Sequence, residues 1–157
     1  KDLSESVNEM IKDCAYTGKP ESYLNINTAD VVVGGRHKKN QGKGYRAFLN
    51  TIMLFNLMKY LESSGKYASH FLVLDSPILS LKEKKYSIKE SEKATKGMRE
   101  SLIQYIIDHC GNNQLIVAEN ELPETVNYQN ANRIMFTMDE EQGRYGFLHS
   151  VRNPEEE

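Results

Sequence analysis

The sequence runs to 157 residues, the size of one ordinary domain, and sets 20 Lys+Arg against 22 Asp+Glu for a net charge of −2. That balance excludes a surface that is basic throughout, as a general nucleic-acid binder would need, and leaves room only for a local basic patch. Two cysteines, Cys14 and Cys110, are too few for a disulfide scaffold and point to a reducing compartment. The strongest apolar run, Phe71-Leu72-Val73-Leu74, is four residues long, against the roughly 20 needed to cross a bilayer. The opening Lys-Asp-Leu-Ser-Glu-Ser has no signal-peptide pattern, so a cytoplasmic chain without a membrane partner is expected. Hydrophobic residues make up 39%, and counting the 10 glycines in place of the 9 tyrosines hardly alters that share. Globular domains sit nearer about 45–50% on that count. A lean apolar share beside 27% charge predicts a piece that completes its core against something else. The missing initial methionine reads as a cut from a longer protein.

Leu3, Val7, Met10, Ile11 and Cys14 fall on one helical stripe, closed by Gly18-Lys19-Pro20. Tyr23 to Asn27 alternates and Ala29 to Val33 is β-branched before Gly34-Gly35, which predicts two short strands and a turn. A polar, basic loop runs from Gly34 to Gly44. Ala47 through Leu61 then carries Phe48, Ile52, Phe55, Leu57, Met58 and Leu61 around most of a helix, which should be buried on several sides. Phe71 to Asp75 reads as a fully buried strand ending in a carboxylate. The highly charged span from Lys82 to Arg99 reads as a solvated connection or a surface helix, and an amphipathic helix runs through Met98, Leu102, Tyr105 and Ile106, stopped by Gly111. Leu115 to Ala118 reads as a second buried strand, Arg133 to Met138 as a third, and Gly143 to Leu148 as a hairpin arm. Strand–helix–strand order with near-continuous apolar strands predicts an α/β fold, a mostly parallel sheet flanked by helices. The expected division is a helix over 1–17, one lobe over 18–150, and a disordered acidic tail over 151–157.

Asp75 concentrates the chemistry. An aspartate at the C-terminal end of a buried parallel strand stands where α/β proteins bind ligands, and a hard cation there wants carboxylate oxygen. The plainer reading is an aspartate opening a turn, which Pro77 favours. Leu74-Asp75-Ser76-Pro77-Ile78-Leu79-Ser80-Leu81 resembles the Walker B and D-loop of ABC-type ATPases, LDEPTSALD, with Leu74, Asp75, Pro77 and Leu81 in register. One helix earlier, Asn40-Gln41-Gly42-Lys43-Gly44-Tyr45-Arg46 resembles the LSGGQ signature loop, which sits at a helix N-terminus. Glycines there let backbone N–H groups approach a phosphate, and Lys43 and Arg46 add charge. Gln114 to Asn120 takes the place of the strand and switch loop. The order of these parts is similar to the C-terminal lobe of an SMC-like, coiled-coil ATPase head of DNA repair, chromosome maintenance or phage defence.

The resemblance implies a P-loop on an N-terminal lobe that is missing here, a coiled coil whose stump is the first helix, and ATP with Mg2+ as cofactors. Asp75 would be the metal ligand. Asn40, Gln41, Gly42, Lys43, Gly44 and Arg46 would meet ATP bound on the opposite subunit, closing a head-to-head homodimer that acts on DNA. The departures from the pattern are specific. His37 stands where a P-loop's first glycine would be, five residues before Gly42, and Gly44 where its Ser/Thr would be, so this chain alone should not hold ATP. Ser76 replaces the catalytic glutamate, Lys82 the D-loop aspartate and Asn120 the switch histidine. Serine cannot take a proton from water as a carboxylate can, so Glu119 or Glu121 would have to supply the base. Two alternatives stand beside this one. One is a non-enzymatic module binding protein or DNA through Arg36, His37, Lys38, Lys39, Lys43 and Arg46. The other is a nuclease whose metal is held by Asp75, Glu119, Glu121 and Glu124. The four histidines share no zinc-ligand spacing with each other or with the cysteines.

Overall fold

The computed structural model describes residues 2–16, 18, 20–81, 90–139 and 141–147. The chain divides into two compact units, Lys1–Asn127 and Tyr128–Glu157. The first contains helices α1 (Leu3–Asp13), α2 (Lys43–Ser64) and α3 (Glu90–His109) and strands β1 (Ser22–Asn25), β2 (Asp30–Val33), β3 (Arg36–His37), β4 (Phe71–Asp75) and β5 (Gln114–Ala118). It is α/β, with helices beside a small parallel sheet and a separate antiparallel one.

Helix α1 begins where the Asp2 carboxylate accepts a hydrogen bond from the Ser4 N–H at 3.2 Å, and Lys12 sits in its last turn. Of the expected stripe, Val7, Met10, Ile11 and Cys14 are fully buried and Leu3 is half-buried. Burial, aided by the Asp13 charge, pushes the Cys14 thiol up to about 12. In β1 and β2 the pairing runs Ser22↔Val33 to Asn25↔Asp30 around a turn where Asn25 Oδ1 accepts from the Asn27 and Thr28 N–H groups. Part of the region expected to be loop is a strand instead. Gly34 and Gly35, at φ +53° and +74°, form a two-residue turn that returns β3 onto β2, and a 3₁₀ turn at Lys38–Asn40 follows.

Helix α2 starts four residues before the expected Ala47. Gly42 is its N-cap, and Lys43 and Arg46 lie in its first turn. Phe48, Leu49, Ile52, Phe55 and Met58 bury its inner side, whereas Leu54, Leu57 and Tyr60 remain more than a third exposed. The Asn56 amide, buried among them, donates to the Ile52 carbonyl and to Met10 Sδ, tying α2 to α1.

Strands β4 and β5 pair in parallel, Phe71↔Gln114 through Asp75↔Ala118, as an isolated two-stranded sheet. They are not buried on both faces as expected. Leu74 is buried and Leu72, Leu115 and Val117 partly so, but Phe71, Val73 and Ile116 on the other face are 46%, 53% and 46% exposed. The reason is that no further element among the described residues lies over that face. Helix α3 buries Met98, Leu102, Ile103 and Ile106 and stops before Gly111 at φ +63°. It reaches back to Glu90, so the 90–99 part of the charged span takes the helical one of its two expected forms; residues 82–89 of that span lie outside the described ones.

Among the described residues of the second unit, the expected third strand and hairpin arm do not form. The described residues there form one bridge, Phe136↔Arg144, with the Thr137 N–H donating to the Arg144 carbonyl and the Met138 N–H to that of Tyr145. Arg144 spends its guanidinium on the Gly146 and Phe147 carbonyls and lies over the Phe136 ring, which meets Phe147 edge-on. Ile134, Met135 and Met138 are 63%, 70% and 72% exposed, so too little apolar surface is covered to hold a sheet. Leu148 and the acidic tail lie outside the described residues.

Candidate functional site

Asp75 closes β4 with its side chain exposed, and Ser76 beside it takes φ +53°, a left-handed conformation unfavourable for a residue with a Cβ. That bend lets the Ser76 hydroxyl donate to Asp75 Oδ1 at 2.8 Å while its N–H extends the parallel ladder to the Ala118 carbonyl at 2.8 Å. The chain then dives inward. Pro77 is buried, Ile78 and Leu81 are 0% and 3% exposed, and a 3₁₀ turn at Leu79–Leu81 packs on α2.

The register sorts the candidate residues by face. Asp75 is paired with Ala118, so both stand on the open side, and Asn120 is exposed at the end of β5. Glu119 falls on the opposite side with Leu74 and Val117 and is partly buried. Its Oε1 accepts from the Ile78 N–H at 2.6 Å. Burial raises its carboxyl above the usual range, opposed by the backbone N–H groups of Ile78, Asn120 and Leu79 and by the charge of Arg99. Oε2 of Glu119 and Nε of Arg99 are buried with no hydrogen-bond partner. Arg99, on α3, otherwise donates Nη2 to the Glu121 carbonyl at 3.3 Å and sits 3.7 Å from Glu121 Oε2.

Asp75, Ser76 and Asn120 are thus gathered at one end of the sheet, while Glu119 is turned toward the loop behind them. Among the described residues no three His, Cys, Asp or Glu side chains converge to hold a metal ion, so Asp75, Glu119, Glu121 and Glu124 do not form the cluster the nuclease reading requires. Arg99 and the Ile78 N–H were missed by sequence reasoning. The loop's closure on β5 brings the Ile78 N–H to Glu119, and α3 brings the charge of Arg99; neither placement is stated by the sequence.

The 40–46 segment leads into α2. The Gly42 cap supplies no side-chain oxygen, and no acidic residue occupies the first turn of α2, which carries Lys43 and Arg46. Tyr45 packs edge-on against Tyr16 at 5.4 Å and Gly44 is buried, which fixes the start of the helix against the segment that follows α1. Among the described residues no hydrogen bond or ion pair joins residues 40–46 to Asp75 or Glu119. Of the neighbouring basic groups, Lys38 is paired with Asp30 at 2.7 Å and bonded to Asn50, while Arg36, Lys39, Lys43 and Arg46 are exposed. His70 and Asn113 meet at 3.0 Å at the opposite end of the parallel sheet, where Asn113 also holds Glu62. His109 closes α3 with Nδ1 2.9 Å from the Tyr105 carbonyl, its ring stacked on Tyr105 at 4.0 Å. A hollow of about 470 Å³ lined by Asp13, Glu100, Gln104, Tyr105, Asp108 and His109, among others, contains none of the candidate residues. No helix among the described residues is long and apolar enough to cross a membrane. No protein-family model, curated protein or solved structure matches the chain.

Proposed function

We propose that this chain is the C-terminal lobe of a coiled-coil, ABC/SMC-like ATP-binding protein. In this reading Asp75 shares in holding Mg2+ beneath ATP, and residues 40–46 meet the ATP of an opposite subunit. The observation that carries it is an exposed carboxylate at the C-terminal end of a parallel strand pair whose apolar face stands open. Parallel strands occur almost only in sheets covered on both faces, so this one asks for a second lobe bearing more strands. Asp75 fits Mg2+ by donor type: it offers carboxylate oxygen, fixed by the Ser76 hydroxyl, and Mg2+ is commonly held by one or two carboxylates together with phosphates. When bound, Mg2+ would neutralise and orient the phosphates.

The start of α2 suits the other half of the scheme. It offers uncapped N–H groups, two cations and no acid in its first turn, features that favour an anion arriving from outside. Ser76 has no base function, and Glu119 is engaged with the loop, so ATP serves here as the glue of a dimer more than as fuel for fast turnover.

The experiment joins the chain to its P-loop lobe and follows mass by light scattering. ATP with Mg2+ should yield dimers that Asp75→Asn and Gly42→Asp abolish; unchanged dimerisation in both variants removes the proposal. A second reading, a module binding DNA or protein without catalysis, is favoured by the four exposed cations Arg36, Lys39, Lys43 and Arg46. It predicts DNA binding by the chain alone that weakens steeply with salt and falls when these four are neutralised.

A further inference from the structure

Oε2 of Glu119 and Nε of Arg99 are the buried side-chain polar atoms left without a hydrogen-bond partner among the described residues. One belongs to a carboxylate and the other to a guanidinium whose charge acts on it. Burying either alone is unfavourable, and their opposite signs at one place offset the cost. The first oxygen of the same carboxylate is spent on the Ile78 N–H at 2.6 Å. That bond reaches from the end of β5 to the turn behind Asp75, whose opening residue, Ser76, sits in a conformation that neighbouring structure must enforce.

We propose that Glu119 is a positioning residue: it latches the Ser76–Leu81 turn onto the end of β5, with Arg99 as its countercharge, so that Asp75 and Asn120 form one rigid edge. The value of that edge to the protein rests on Asp75 holding a cation, as proposed above; the latch itself does not.

The test is amide hydrogen exchange, read by NMR on the 157-residue chain. In Glu119→Ala the Ile78 amide should exchange at least about tenfold faster than in the parent, while the Ile52 and Leu102 amides keep their protection. Glu119→Gln retains an acceptor oxygen and should bring Ile78 back to within about threefold of the parent, a recovery that mere space-filling would not single out for this amide. Ile78 exchange unchanged in Glu119→Ala overturns the latch. If Glu119→Ala does not fold, Arg99→Gln takes its place, and Ile78 exchange unaltered in that variant overturns it as well. The same samples separate the two proposals. Broadening of the Ser76 amide by Mn2+ that vanishes in Asp75→Asn, with Ile78 protection kept, supports Asp75 as a ligand independently of the latch. No broadening in the parent protein joined to its P-loop lobe, with ATP present, removes the cation role and leaves the exchange rates to judge Glu119.

Discussion

Replacing Val73 and Ile116 by threonine probes the open face of the parallel sheet. The two residues are directly paired across the strands and are 53% and 46% exposed. Full burial of such a side chain is worth about 1.5–3 kcal/mol, so covering the exposed half yields about 1 kcal/mol each, or about 2 kcal/mol for the pair. Threonine keeps the β-branched shape and the strand propensity. The isolated chain should therefore lose less than about 1 kcal/mol in urea unfolding. Association through this face should weaken by about 30-fold, the equivalent of 2 kcal/mol. Sedimentation velocity over a concentration series measures the second quantity, since self-association is expected to stand in for the absent half of the sheet. A double variant destabilised by more than about 3 kcal/mol would mean that this face is already internal. Unaltered self-association would mean that it is not the surface being covered.

Three further outcomes follow from the core, the carboxylate and the turn. Cys14 is fully buried with its thiol pushed up to about 12, so at pH 8 a thiol reagent should titrate Cys110 alone in the folded chain and both cysteines in denaturant. Because the folded state binds the Glu119 proton more tightly than the unfolded state does, stability should fall as pH rises from the ordinary glutamate range through the raised value. Glu119→Gln should flatten that slope in chemical denaturation measured across pH 4 to 7. Gly35 holds φ +74° with nothing within 4 Å of an added Cβ, so Gly35→Ala should cost about 1 kcal/mol of conformational strain alone, and Gly35→Asn less. Equal stability of the three proteins on thermal unfolding would contradict the assigned turn.

Local pattern carried much of the fold. The α1 stripe, the β1–β2 hairpin, the strand ending at Asp75 and the Gly111 stop are each written in a few adjacent residues, where period and turn chemistry act directly. What failed depends on what lies across space. Phe71 to Leu74 and Leu115 to Ala118 read as buried because apolar runs imply cover on both faces, but nothing described supplies the second cover. Arg133 to Met138 has strand-forming residues, yet a lone partner at Arg144 cannot sustain a ladder. The start of α2 came earlier than its apolar residues suggested because Gly42 can cap a helix without adding a hydrophobic signal. In the candidate site the sequence placed Asp75 and Glu119 at two strand ends as though they were neighbours in one cluster. Their opposite faces follow from the Asp75↔Ala118 register, a single-residue offset that composition and spacing leave open.

Calorimetric titration of ATP into the two joined lobes, with Mg2+ and then with a chelator, tests the assignment of Asp75 most directly. The parent protein should bind ATP more tightly with Mg2+ present, and Asp75→Asn should bind equally with or without it. An Mg2+ dependence that survives Asp75→Asn would contradict the account.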